Sequence, residues 1–223
     1  MLVHDGHASS RRFFTSANAG SYDRVAKYAT FGQDLQWKRY AVEALGNHDP
    51  VLELACGTGV LSSMLTFSGK DVIGLDFTFE YLRESMLRLE IPLAQGTAEI
   101  LPYRDDCFGA VVSSYLAKYV EIDRLVEECW RVVRPGGVAV FHDFVYPSSL
   151  MMSRLWTAYF RLLRLCGTFS PSWRVVFQEL DSVIKESRWE KQLQTSLRKK
   201  GFGAVSCKYY SLGTSAIVSA EKP

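Results

Sequence analysis

The chain has 223 residues, of which 48% are apolar and 22% charged, and a formal net charge of +2. That length supports one α/β core and falls short of two comfortable domains. The composition excludes a disordered chain, and so mild a charge does not demand nucleic acid, although it would not oppose an anionic membrane surface. The five cysteines, Cys56, Cys107, Cys129, Cys166 and Cys207, are scattered, odd in number and without a CxxC pair. They read as reduced thiols of a cytosolic protein and give no basis for a zinc site. His4 and His7 fall in a polar N-terminal stretch that lacks the apolar core of a signal peptide and reads as a disordered tail.

The first clear element is a helix over 34–46, with Asp34 as N-cap and Gly46 as stop. Residues 50–55 form strand one. A helix over 58–67 follows, closed by Gly69. Residues 71–76 are strand two, 78–90 a helix capped by Thr78, and 91–96 a short strand three. Strand four covers 110–116. A helix over 121–137 is stopped by Pro135-Gly136-Gly137, and strand five covers 138–144. A helical stretch over 149–200 breaks near 167–171, and two strands near 202–210 and 213–221 finish the chain. Alternating strands and helices predict a mostly parallel sheet covered on both faces.

Strand one ends in the turn Ala55-Cys56-Gly57-Thr58-Gly59-Val60-Leu61-Ser62. A dinucleotide loop carries a third glycine, absent here. Gly57 and Gly59 allow a ligand close to the backbone. Glu53 places an acid inside an apolar strand, which is unfavourable unless donors or a cation meet it. Asp76 ends strand two, where it can accept bonds from both hydroxyls of a ribose. The glycines could also serve only to make a turn, with Glu53 a capped core acid.

This constellation resembles the class I S-adenosylmethionine-dependent methyltransferases, whose first motif is E/D-x-x-x-G-x-G and whose second is an acid after strand two. The segments GTAEILPYRDDCFGAVVSSYL and ECWRVVRPGGVAVFHDF are similar to the family's later motifs, so the likeness covers nearly the whole chain. It implies a Rossmann-like fold: a seven-stranded, mostly parallel sheet with helices on both faces and a helical lid between strands five and six. As one domain, the chain divides into a tail and lid helix (1–46), a cofactor core (47–148), a helical lid (149–188) and a closing helix with the last strands (189–223). The resemblance also implies roles. Ala55, Gly57, Thr58 and Gly59 pass beside the methionine part of the cofactor. Glu53 sits below it, Asp76 holds the ribose, and Phe77 lies against the adenine. Thr97 and Ala98 meet the adenine edge, Ser114 lies near the sulfonium, and Tyr22 belongs to the closing segment. Thr97 stands where many relatives carry Asp, and its hydroxyl accepts more weakly than a carboxylate.

The flanks resemble the ubiquinone/menaquinone C-methyltransferases, the UbiE family. The similar segments are YDRVAKYATFGQDLQWKRYAVEAL, ELDSVIKESRWEKQLQTSLRKKGF and YYSLGTSAIVSAEKP. The chain departs from that family's pattern after strand four, where Phe-Gly-Leu-Arg-Asn becomes Tyr115-Leu116-Ala117-Lys118-Tyr119, so Lys118 takes the Arg position. The family's S-Y-x-Y-L becomes VVFQEL, without its tyrosines.

In SLMMSRLWTAYFRLLRLCG, Arg154, Arg161 and Arg164 share one side with Ser153 and Thr157, and apolar residues cover the rest. Three arginines exclude an ordinary membrane span. The segment suits a lid over a greasy ligand, a helix at a bilayer surface, or a domain helix with its arginines in water.

The resemblance implies transfer of a methyl group to a ring carbon of a prenylated, (demethyl)menaquinol- or ubiquinol-like acceptor, with S-adenosylhomocysteine as product and no metal. A quinol carbon becomes nucleophilic when a neighbouring hydroxyl loses its proton, so the protein must supply alignment, dryness and a base. His142 is the expected base, with Lys118 as supporting cation and Tyr115 beside it; each could equally be structural. Other open readings are a methyltransferase for a phenol or a lipid, and a noncatalytic cofactor-binding protein. A cytoplasmic protein touching the membrane transiently fits the quinol reading, a homodimer is left open, and no nucleic-acid partner is expected.

Overall fold

The structure is a computed structural model and describes residues 6–223; His4 lies outside them. Seven strands form one sheet in the order β3-β2-β1-β4-β5-β7-β6. They are β1 (Val51–Leu54), β2 (Val72–Asp76), β3 (Leu93–Gln95), β4 (Phe108–Ser114), β5 (Val133–Phe144), β6 (Gly203–Tyr210) and β7 (Ser215–Glu221). The first five are mutually parallel, and β7 runs antiparallel to both β5 and β6. The chain winds outward from β1 through β2 to β3, then crosses back to place β4 on the other side of β1. Ligands of doubly wound sheets bind at such a reversal, outside the carboxyl ends of the strands.

Strand alternation sets which side chains share a face. Leu52, Leu54, Val111, Ala139 and Phe141 pack under α7 (Ile122–Val132) and α10 (Trp189–Lys200). Val51, Ala110, Val112, Val138 and Val140 pack on the other face, under α4 (Gln33–Ala44) and α5 (Val60–Phe67). The same period assigns Glu53, Ser114 and His142 to that second face, and Asp143 to the first. Gly59 caps α5 with φ +81°, and a Cβ there would come within 2.6 Å of Ser85 Oγ on α6 (Phe79–Arg88). Both the backbone and the space therefore require glycine.

The N-terminal stretch departs from the tail expected of it. Helices α1 (Gly6–Phe13), α2 (Ser16–Ala19) and α3 (Tyr22–Ala29) precede α4. Phe13 is fully buried among Tyr119, Trp173 and Phe177, which anchors α1 against α9 (Arg174–Ser187). His7 is helical and its Nε2 lies 2.7 Å from Glu99 Oε1. Asp34 is not the cap of α4: Gly32, at φ +76°, is the N-cap and Asp34 sits in the first turn. The helix over 121–137 ends earlier, at Val132, and β5 begins before Pro135. After β5, α8 (Leu150–Gly167) and α9 form an antiparallel pair joined through a 3₁₀ turn at Pro171–Trp173. Trp156 Nε1 donates to Asp181 Oδ1 at 2.7 Å and fastens the two. Among the described residues no helix is long and apolar enough to cross a membrane.

Candidate active site

A cavity of about 270 Å³ lies at the carboxyl ends of β1 to β4. The structure brings together in its wall Tyr22, Glu53, Ala55, Gly57, Thr58, Asp76, Phe77, Thr97, Ala98, Ser114 and Tyr115. Gly59 is set one step back, where it starts α5. Asp76 Oδ2 accepts the Gly57 N–H and Oδ1 the Thr78 N–H, both at 2.8 Å, so this acid braces the loop. Glu53 is hydrogen-bonded with Ser62 at the start of α5.

Residues from the N-terminal helices were missed in the sequence. His7, Ser10 and Arg11 reach this wall from α1, and the Arg11 guanidinium lies 5.3 Å from the centre of the Phe77 ring. Glu99 joins them and also accepts the Glu121 N–H at 2.8 Å. Asp23 on α3 accepts from the Thr58 hydroxyl and pairs with Arg88. The Tyr-Asp pair at 22–23 was a visible signal for α3, whereas the polar sequence of α1 gave none.

A second cavity, of about 480 Å³, adjoins the first. Phe14, Tyr22, Ala26, Tyr115 and Tyr119 wall both. Beyond that shared rim the lining is mostly aromatic and aliphatic, with Trp37, Phe144, Trp156, Tyr159 and Phe160 among it, and Thr30, Gln33, Ser211 and Thr214 are its neutral polar members. Lys118 is its single charged residue among the described residues. The ammonium bonds Asp143 Oδ1 at 2.5 Å and lies over the rings of Tyr119 and Tyr115 at 4.4 and 5.3 Å.

His142 is placed elsewhere. Its Nδ1 lies 3.1 Å from Ser114 Oγ and its Nε2 3.0 Å from Ser215 Oγ, it is 1% exposed, and it lines neither cavity. The geometry argues against the base expected from the sequence: both nitrogens are engaged by protein hydroxyls, and the ring lines neither cavity. Burial, reinforced by the positive charge of Lys38, lowers its pKa to about 3 and keeps the imidazole neutral.

Burial dominates the other ionisable groups too. It raises Glu53 to about 8 and Asp76 to about 6. It pushes Lys118 down and Asp143 up, and their mutual attraction opposes both movements. It holds the hydroxyls of Tyr22, Tyr115 and Tyr119 well above the usual phenol range, so all three stay protonated. Asp34 is the exception. Burial raises it, but the Lys38 ammonium and the bonds from Lys38 and Tyr115 outweigh that and bring it below the usual carboxylate range.

Two buried acids with raised pKa values, set on either side of a glycine loop, fit a ligand that brings an ammonium and a hydroxyl pair. The sheet order and this loop define a class I S-adenosylmethionine-dependent methyltransferase, and S-adenosylmethionine is its cofactor. Residues 52–141 match the family described as Methyltransferase domain. The chain is 32% identical to the ubiquinone/menaquinone biosynthesis C-methyltransferase UbiE of Desulfotalea psychrophila, over 90% of this chain and 85% of that protein. It is 31% identical to the demethylmenaquinone methyltransferase of Paenarthrobacter aurescens, over 92% and 83%. In structure it is similar to a SAM-dependent methyltransferase of Thermotoga maritima, with a TM-score of 0.68 at 18% identity, covering 98% of this chain and 100% of that one. The chain belongs to the ubiquinone/menaquinone biosynthesis C-methyltransferase family.

Proposed function

We propose that this enzyme methylates a ring carbon of a quinol of the (demethyl)menaquinol or ubiquinol type. The observation that carries the reading is the second cavity: aromatic-walled, joined to the cofactor cavity through a shared rim, and holding one cation. The names of the two curated relatives support the acceptor class. When bound, the cofactor supplies the electrophilic methyl group.

The protein's part is placement and charge. Asp76 would hold the ribose hydroxyls, Glu53 the ammonium, and the backbone from Ala55 through Gly59 the methionine chain. Phe77, with Arg11 over it, would take the adenine face, and Thr97 and Ala98 its edge. Ser114 would meet the sulfonium end, and Tyr22 would close the rim. Lys118, as a point charge in the wall, favours the phenolate that forms when the quinol hydroxyl passes its proton to a water molecule. Incubation with naphthohydroquinone and isotopically labelled cofactor, read by mass spectrometry, tests this reading. Label on a ring carbon is expected. Label on oxygen, or none while the cofactor binds, overturns it.

The acceptor's tail calls for lipid, and α8 offers a surface for it. Met151, Leu155, Leu162 and Leu165 are each more than half exposed, Arg154 and Arg161 are exposed beside them, and the helix contains no acid. Leu155 and Met152 also line the acceptor cavity, so this face borders it. A cytoplasmic enzyme resting transiently on anionic lipid through α8 follows. Flotation with anionic but not neutral vesicles is expected, and Leu155→Glu should abolish it.

A further inference from the structure

Helix α4 presents two adjacent stripes to the site. Gln33 and Trp37, one turn apart, wall the acceptor cavity; Asp34 and Lys38, also one turn apart, wall the cofactor cavity. Tyr115 belongs to both cavities and is held by the second of these stripes. Its hydroxyl donates to Asp34 Oδ1 at 2.7 Å, and the same carboxylate oxygen receives the Lys38 ammonium.

The position of Tyr115 is fixed several times over. Its φ is +66°, unusual for a residue with a bulky side chain. Its ring stacks on Phe144 at 4.9 Å with planes 20° apart. The ammoniums of Lys38 and Lys118 lie 4.8 and 5.3 Å from the ring centre. A phenol has one proton. An ionised carboxylate can only accept, so that proton is committed to Asp34. What remains for a ligand is the oxygen's lone pairs. Lys118, in the same cavity, can only donate.

We propose that Tyr115, oriented by Asp34 and Lys38, is a specificity residue of the acceptor site: it accepts a hydrogen bond from a hydroxyl on the aromatic acceptor and disfavours an ether or carbonyl of the same shape. This rests on the quinol reading in taking the acceptor to be aromatic. A hydroquinol that has released one of its two protons carries one oxygen that only accepts and one that still donates. Lys118 and Tyr115 match that pair. An oxidised quinone carries two acceptors and leaves Tyr115 unmatched, so the site distinguishes the reduced ring from the oxidised one.

Binding of naphthol and of its methyl ether to the protein saturated with S-adenosylhomocysteine, measured by calorimetry, tests the proposal without turnover. The wild type should prefer naphthol about tenfold, near the upper range of one neutral hydrogen bond. Tyr115→Phe keeps the ring and its stacking; at saturating S-adenosylhomocysteine it should bind both probes alike. Asp34→Asn can turn an amide N–H toward the Tyr115 oxygen and release the phenol proton, so the preference should shrink or reverse. Equal affinities in the wild type overturn the proposal, as does a preference that survives in Tyr115→Phe. A wild type that keeps the preference but fails to methylate naphthohydroquinone supports this site and overturns the quinol reading alone.

Discussion

The hydroxyl of Thr58 donates to Asp23 Oδ1 across 2.5 Å, so helix α3 is fastened to the glycine loop by one side-chain bond. Asp23 is also held by Arg88, and Tyr22 beside it walls both cavities. The bond is a latch: it ties the segment over the site to the loop that carries the cofactor.

Thr58→Val keeps the shape of the side chain and removes the donor. The Asp23 side chain is about one-third exposed, so solvent replaces part of what is lost, and stability should fall by only about 1 kcal/mol. Hydrogen exchange over 22–29 should accelerate, and S-adenosylhomocysteine should dissociate faster. Unchanged exchange there would show that packing of the aromatic rim, not this bond, holds α3 down.

Asp76 has two tasks. It accepts two backbone N–H groups from the loops it joins, and it has lone pairs left for a ribose. Asp76→Ala removes both, so a loss of affinity alone would not separate them. Asp76→Asn keeps an acceptor for one N–H. It should bind S-adenosylhomocysteine at least about tenfold more weakly, because charge-assisted bonds exceed neutral ones by a kcal/mol or more, and melt a few degrees lower. Unchanged affinity with a lowered melting temperature would confine Asp76 to bracing.

Glu53 makes cofactor binding depend on pH. Burial raises its pKa to about 8 in the ligand-free protein, so at pH 7 it is mostly protonated. An ammonium beside it favours the ionised form, so binding at pH 7 should release a proton and tighten by up to about tenfold per pH unit, levelling above pH 8. For the free protein the sign is opposite. A carboxyl raised from 4.5 to about 8 contributes stability that is fully present below pH 4.5 and lost as pH rises toward 8. Calorimetry in buffers of different ionisation enthalpy reads the proton directly. Glu53→Gln should abolish the release and flatten the pH dependence; a persisting release would remove Glu53 as its source.

Why some of this was readable in the sequence and some was not has physical reasons. The buried parallel strands are short apolar runs closed by glycine or by the acid that ends them, so β1, β2, β4 and β5 with Glu53, Asp76 and the loop could be placed from local pattern. Helix α1 could not. Its sequence is polar, and it is ordered by Phe13 in a nest of aromatics supplied from residues 119, 173 and 177. Such order comes from distant partners, which no local window contains. Asp34 was visible as a helix-start residue and was assigned that structural task; only the fold shows Tyr115, 81 residues on, bonded to it. His142 shows the converse. A histidine at a strand end suggests a base, but strand alternation buries it under α4, between two serine hydroxyls.

Lys118 and His142 can be separated by what their removal leaves behind. Lys118 is 5% exposed and Asp143 fully buried, and Asp143 Oδ2 has no hydrogen-bond partner among the described residues. Lys118→Met therefore strands a buried acid, which should destabilise the protein by about 3–5 kcal/mol, less whatever protonation of Asp143 recovers. Turnover should fall by about two orders of magnitude. Loss of folding could mimic loss of catalysis, so the informative protein is the double variant Lys118→Met with Asp143→Leu. With neither charge present, it should regain much of the stability and none of the turnover. His142→Gln should do the opposite: the carboxamide still bonds Ser114 or Ser215, the protein loses some stability, and turnover with saturating cofactor stays within about threefold of the wild type, because a brace has no part in the transition state. A double variant that turns over normally would remove Lys118 from the mechanism. A stable His142→Gln protein with turnover reduced a hundredfold would restore histidine as the base and require the strand end to open during catalysis.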